Sequence, residues 1–180
     1  MTSRIANLLF LFALLLISPV RSGAQSATGC GPANFKFSVK TVLGNRATPA
    51  VDPSKATVFF LQDDVRYGAR PRPTTEFGID GEWVGATHAN SYFFVSVDPG
   101  EHHLCANWQS RVTKRVPTRP TSALHFTAEA GNTYYFRARD IAEGGDSSPP
   151  IEEVILEALD SDEARLLMKS FARSVSEPKK

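Results

Sequence analysis

VSVDPGEHHLCANW, residues 95–108, decides the fold. An apolar strand closes at Val97, Asp98-Pro99-Gly100-Glu101 fits a type II turn, and a second strand starts directly after it. Proline presets the φ of the turn's second position, and glycine accepts the positive φ of the third. Successive side chains on a strand point to opposite faces. Phe93, Val95 and Val97 therefore share one face of the first strand, with Tyr92 and Phe94 on the other. In the second strand His102, Leu104, Ala106 and Trp108 share a face, and His103, Cys105 and Asn107 take the opposite one.

Cys105 is one of two cysteines, the other being Cys30. The N-terminus explains why that pairing matters. Arg4 precedes the apolar run Ile5 to Ile17, then Ser18-Pro19 and the small residues Ser22-Gly23-Ala24. This is the charged, apolar, small-residue order of a secretory signal peptide, with cleavage after Ala24; a retained signal anchor is the competing reading. The apolar run is shorter than the ~20 residues that span a bilayer. No later segment has the length and apolarity of a membrane helix, so the mature chain is expected to be secreted or periplasmic. Export exposes thiols to an oxidising compartment, where two cysteines allow one bridge, Cys30 to Cys105. Two free thiols or an intermolecular bond are the alternatives. Ala27-Thr28-Gly29-Cys30 also has the small residues that precede a lipidated cysteine, but lies far past the apolar run, so a lipid anchor is the weaker expectation.

Removing 24 of 180 residues leaves 156, enough for one domain with a core. Twenty basic and 19 acidic side chains give a net charge of +1, which offers no global pull toward nucleic acid or an acidic partner. Short apolar alternations separated by Gly, Pro, Asp and Asn predict an antiparallel β-sandwich of seven or eight strands, immunoglobulin-like or transthyretin-like, with a short C-terminal α-helix. Phe35 to Val39 reads as the first strand and Ala47 to Lys55 as a linker. Thr57 to Gln62, apolar on both faces, reads as a central strand. Asp80-Gly81 specifies a two-residue type I′ hairpin, pairing Ile79 with Glu82, Gly78 with Trp83 and Phe77 with Val84. Trp83 would then fill the space over Gly78. Between Leu124 and Arg139 a hairpin with the three-residue loop Glu129-Ala130-Gly131 keeps Leu124, Phe126, Tyr134 and Phe136 on one face. Residues 151–159 fit both a strand, with Val154, Leu156 and Ala158 inward, and a helix. Asp160 and Glu163 stand at capping-box spacing before Ala164, Leu167, Met168 and Phe171, an amphipathic helix. The expected division is 1–24 signal peptide, 25–55 first strand and linker, 56–173 sandwich with helix, and 174–180 frayed tail.

The chain contains no G-x-S-x-G, H-E-x-x-H, Walker or G-x-G-x-x-G pattern. No catalytic residue, cofactor or metal is assigned, and an enzyme is not expected. His102 and His103 point to opposite faces, so one ion cannot take both without a bulge. His102 could join His88 or His125, with Asp98 or Glu101 nearby; against this stands a histidine simply hydrogen-bonded at the rim. Two loops are basic: Arg66, Arg70 and Arg72 in one, Arg111, Lys114, Arg115 and Arg119 in the other. If both leave the same end of the sandwich they make a cationic patch for a phosphate or carboxylate polymer of the envelope. Solvated loops without a partner are the alternative. Trp83, Trp108, Tyr67 and Tyr92 could form a sugar platform, although such rings more often fill cores.

The order ATVFFLQ, a D-G hairpin ending in WVG, NSYFFVSVDPGEHHLCA and LHFTAEAGNTYYFRAR resembles a bacterial family of domains of unknown function. Its members are small exported or lipid-anchored β-sandwich proteins. The resemblance spans residues 56–171 and is strongest at Pro99-Gly100-Glu101-His102 and Ala130-Gly131-Asn132-Thr133-Tyr134-Tyr135. It implies a strand over 151–158 and carries over no catalytic residue. The expected function is a non-enzymatic binding or envelope-associated interaction module, with Arg111, Lys114, Arg115 and Trp83 as binding candidates. Its partner would be a protein or an anionic envelope polymer. The alternative is an accessory protein that binds a small ligand or metal through rim histidines.

Overall fold

The computed structural model describes residues 30–44, 49–50, 52–64, 72–109, 121–143 and 151–179. These form β1 (Phe37–Val42), β2 (Ala56–Asp63), β3 (Thr74–Ile79), β4 (Glu82–His88), β5 (Ser91–Val97), β6 (Gly100–Trp108), β7 (Thr121–Ala128), β8 (Thr133–Glu143), β9 (Ile151–Leu159), α1 (Ser161–Met168) and β10 (Ala172–Pro178). The signal-peptide region lies outside the described residues. A large sheet runs β1-β10-β5-β2-β8-β9 and a small one β4-β3-β6-β7. The architecture is the expected all-β sandwich with a C-terminal helix, but it is not purely antiparallel. Strand β2 runs parallel to β8, and β10 parallel to β5. Ten strands are present among the described residues, where seven or eight were expected. Parallel neighbours need a long crossover. The one from β2 to β8 passes through the whole small sheet, so no local alternation announces it.

The double-faced apolar run of β2 has a direct structural use. Val58 and Phe60 face the small sheet, in the core with Phe77, Phe93, Leu104 and Trp108. Phe59 and Leu61 face the other way, into a second cluster with Tyr92, Leu159 and Ala164, flanked by Leu167, Met168 and Phe171. The amphipathic helix thus caps the outer face of the large sheet. Strand β5 divides as its alternation predicts, with Phe93, Val95 and Val97 inward and Tyr92 and Phe94 under the helix. Asp160 is the N-cap, accepting from the Asp162 amide at 2.8 Å. No reciprocal capping box forms, because Glu163 accepts from Arg137 at 2.7 Å instead.

The Asp80-Gly81 turn has positive φ at both positions, 52° and 86°, as a type I′ turn requires. Ile79 faces Glu82 and Gly78 faces Trp83, but Phe77 then faces Gly85, leaving Val84 as the extra residue of a β-bulge. The bulge puts Gly85 where the Phe93 ring passes; a Cβ there would lie 2.5 Å from that ring. Gly100 takes φ 142°, positive as expected but well beyond the ~80° of an ideal type II turn.

The segment expected as a hairpin, residues 124–139, is instead an arch between sheets. Strand β7 pairs with β6, and β8 pairs with β2 and β9. Phe126 still meets Tyr134 and Phe136 edge-on, at 5.1 and 4.9 Å between centroids, but across the sandwich. Gly131 keeps the positive φ of 77° that the connection needs. Shared-face logic cannot separate neighbours in one sheet from partners in two.

Residues 151–159 are strand, with Val154 and Leu156 in the core and Ala158 exposed at the end of this edge strand. The frayed tail is replaced by β10, inserted between β1 and β5. Its inward residues are Ala172, Ser174 and Ser176, which a hydrophobic pattern does not register. The hydroxyls of Ser174 and Ser91 lie 2.8 Å apart, and Ser176 Oγ accepts the Ala86 amide of β4 at 3.2 Å. On the opposite flank Ser122 Oγ of β7 accepts the Leu156 amide of β9 at 3.1 Å. Each open side of the sandwich is therefore stitched by a serine reaching an edge amide of the other sheet.

Candidate functional site

The small sheet's outer face carries the N-terminal segment. Cys105 points there because Leu104 and Ala106 point into the core, and it is bonded to Cys30 with their Cα atoms 5.3 Å apart. A sulfur so engaged is not available to a lipid. Gly78 stands opposite Cys105, and a Cβ there would come 2.3 Å from the Cys30 carbonyl oxygen. The space left by Gly78 is thus taken by Cys30, not by Trp83. Trp83 lies against Gly31, and its indole N–H donates to the Pro32 carbonyl at 3.1 Å. Farther along, the Gln109 side chain accepts from the Phe37 amide and donates to the Phe37 carbonyl. The disulfide, Trp83 and Gln109 fasten residues 30–37 across the sheet.

The two ends of the sandwich differ. At one end the β3–β4 and β5–β6 turns meet at His102. Its Nδ1 is 2.7 Å from Asp80 Oδ2 and its Nε2 is 2.8 Å from the Asp98 carbonyl. Both partners are acceptors, so both ring nitrogens donate and the ring is an imidazolium. Burial opposes that charge, but the Asp98 carbonyl and the Asp80 carboxylate outweigh it and raise the His102 pKa above its ordinary value. Asp80 is lowered in turn: burial works against its ionisation, and the His103 amide and His102 overcome it. Lys55 reaches Asp98 at 2.9 Å. His102 packs on Phe126, while His88 pairs with Thr74 at the opposite end. The structure therefore does not bring His102 to His88. It also separates His102 from His125, which lies on the other face beside His103.

The other end holds a buried polar network. Gln62 is its hub: its amide nitrogen donates to Asp64 Oδ1 at 2.9 Å and Asp140 Oδ2 at 2.6 Å, and its oxygen accepts from Thr87 at 2.7 Å. Asp140 also accepts from Thr75 at 2.9 Å and from the Trp108 indole at 2.8 Å. Gln62, Thr75, Thr87, Trp108 and Asp140 are all fully buried. Burial pushes the Asp140 carboxyl up to about 8 and Asp64 adds to the rise, while the bonds from Trp108, Thr75 and Gln62 pull against both. Asp64 is raised by burial, opposed by Gln62 and by Arg72 at 3.3 Å. Trp108 was readable as an inward residue whose N–H needs a partner. Gln62 and Asp140 carry no such signal: Gln62 is the polar end of the apolar run of β2, and Asp140 follows Arg137 and Arg139 in β8, where it reads as one more surface charge.

Above this network the chain leaves β2 after Asp64, β6 after Gln109 and β8 after Glu143. The Gln109 amide donates to the Thr74 carbonyl at 2.9 Å, so the β2–β3 and β6–β7 connections have adjacent ends. Arg66, Arg70, Arg111, Lys114, Arg115 and Arg119 lie outside the described residues. Trp83 belongs to the opposite end, beside the Asp80-Gly81 turn. Among the described residues no helix is long and apolar enough to cross a membrane.

Fold and site together define a disulfide-tied β-sandwich whose long connections leave one end over a buried polar floor. The chain belongs to a family of proteins of unknown function, DUF2846, whose model matches residues 52–147. That span covers β2 to β8; Cys30, β1, β9, α1 and β10 complete the bridge and the large sheet from outside it. Neither the curated proteins nor the solved structures compared with the chain include a match.

Proposed function

We propose that this protein is a non-enzymatic binding module of the exported, envelope-facing compartment, and that it engages an anionic polymer through the end from which its long connections leave. The observation that carries this reading is that the β2–β3 and β6–β7 connections have adjacent ends, at the Thr74–Gln109 bond, on the end of the sandwich that holds the buried Gln62 network. The sequence of those two connections holds Arg66 and Arg70, then Arg111, Lys114, Arg115 and Arg119. Binding residues on loops held by a rigid scaffold are a common arrangement. Opposed charge on such loops attracts phosphate or carboxylate chains in a salt-dependent way. The Cys30–Cys105 bridge supports an oxidising, exported location.

Retention on immobilised polygalacturonate or polyphosphate is the test. Wild type should elute later at low salt than at high salt. The triple variant Arg111→Gln, Lys114→Gln, Arg115→Gln should lose most of that retention, and Trp83→Phe should keep it. Retention insensitive to the triple variant would discard the proposal.

A further inference from the structure

On the outer face of the small sheet, β6 and β7 set His103 directly opposite His125. The backbone determines what kind of opposition this is. The His103 amide donates to Asp80 Oδ1 at 2.8 Å and its carbonyl accepts from the Asp80 amide at 2.9 Å. In an antiparallel ladder a residue's N–H and C=O point to the same side, and here both point toward β3 and its turn. Toward β7, then, His103 and His125 form a non-hydrogen-bonded pair, the arrangement with Cα atoms only ~4.5 Å apart and side chains at their closest. Their ring centroids stand 6.4 Å apart at 53°, and both residues are exposed. Zinc–imidazole bonds are ~2.0–2.1 Å long, so a modest turn of the two side chains brings one nitrogen of each ring to a shared ion.

We propose that His103 and His125 form a two-imidazole site for a borderline divalent transition metal such as Cu²⁺, Ni²⁺ or Zn²⁺. Among the described residues no set of three His, Cys, Asp or Glu converges on one point. The site is accordingly bidentate, with water completing the coordination. Glu101 stands on the same face two residues before His103, the nearest carboxylate along β6 in that direction. His102 takes no part, since it faces the other way and both its ring nitrogens already donate. This site is independent of the basic connections: it lies on a different element face and recognises a cation, not an anion.

The test uses the full disulfide-bonded protein with Cu²⁺, Ni²⁺ or Zn²⁺ alone, in a non-chelating buffer, by calorimetry and thermal unfolding. One ion per chain should bind, in the affinity order Cu²⁺ above Ni²⁺ and Zn²⁺. Saturating metal should raise Tm by roughly 2–6 °C, since ligand bound only to the folded state stabilises it. His103→Ala and His125→Gln should each weaken binding at least about tenfold, as a bidentate site reduced to one imidazole would. Circular dichroism of both variants would confirm that the sheet persists. His88→Ala should bind as wild type does. Unchanged affinity in both His103 and His125 variants, loss of binding in His88→Ala alone, or no binding at millimolar metal would overturn the proposal.

Discussion

The two ends of this sandwich are closed by different physics. The turn end is closed locally: two short turns, with His102 tying Asp80 to Asp98 at 2.7 and 2.8 Å. The end carrying the long connections is closed by contacts between residues far apart in the chain, Gln62 to Asp140, Thr87 to Gln62 and Trp108 to Asp140. One end rests on a partly buried ion pair between His102 and the exposed Asp80, and the other on fully buried polar groups bonded to one another. Damage to the first should stay local and small, whereas damage to the second should reach the whole core.

The disulfide couples both ends through residues 30–37, and its loss is the largest expected effect. Cys30→Ser with Cys105→Ser should destabilise the fold by about 4 kcal/mol in urea unfolding, in line with closing a loop of 75 residues. Gln62→Ala comes next, at about 3 kcal/mol, because Asp64, Asp140 and Thr87 lose a buried partner together. A loss below about 1 kcal/mol would mean that this floor is wet and soft, and the contrast between the ends would collapse.

The pH dependence sharpens the same comparison. Asp140 titrates at about 8 when folded, well above its ordinary 3.8. Its contribution to stability is therefore complete below about pH 4 and lost as pH rises toward 8, by at most about 1.4 kcal/mol per pH unit. Asp140→Asn should flatten that slope. His102 is also raised, so its contribution is present below its ordinary 6.5 and lost as pH climbs through the higher folded value. His102→Gln should cost about 1 kcal/mol near pH 6, with the difference shrinking at alkaline pH. Stability curves from pH 4 to 9 for wild type and both variants separate the two ends. The smallest change is Trp83→Phe, which forfeits one exposed bond to Pro32 and should cost about 0.5 kcal/mol.

The turn end was legible because its chemistry is encoded within a few residues. Asp80-Gly81 can only be a tight hairpin, and Pro99-Gly100 fixes where β6 begins. The alternation beyond it correctly placed Leu104, Ala106 and Trp108 inward and Cys105 outward. The other end was not legible for the converse reason. Nothing near Gln62 says that Asp140 will meet it 78 residues later. The parallel pairing of β2 with β8 that brings them together depends on topology. Strand β10 has no apolar signature, because alanine and serine pack inward between its neighbours. The Phe126 contact shows a correct face assigned to the wrong partner, since an arch and a hairpin bury the same side chains.

Hydrogen exchange with and without bound polygalacturonate tests the central claim, that the end above Gln62 is the binding end. Added protection should fall on residues 65–71 and 110–120, with none at Asp80–Trp83 or Asp98–His102. Protection concentrated at those two turns, with the long connections unchanged, would contradict it.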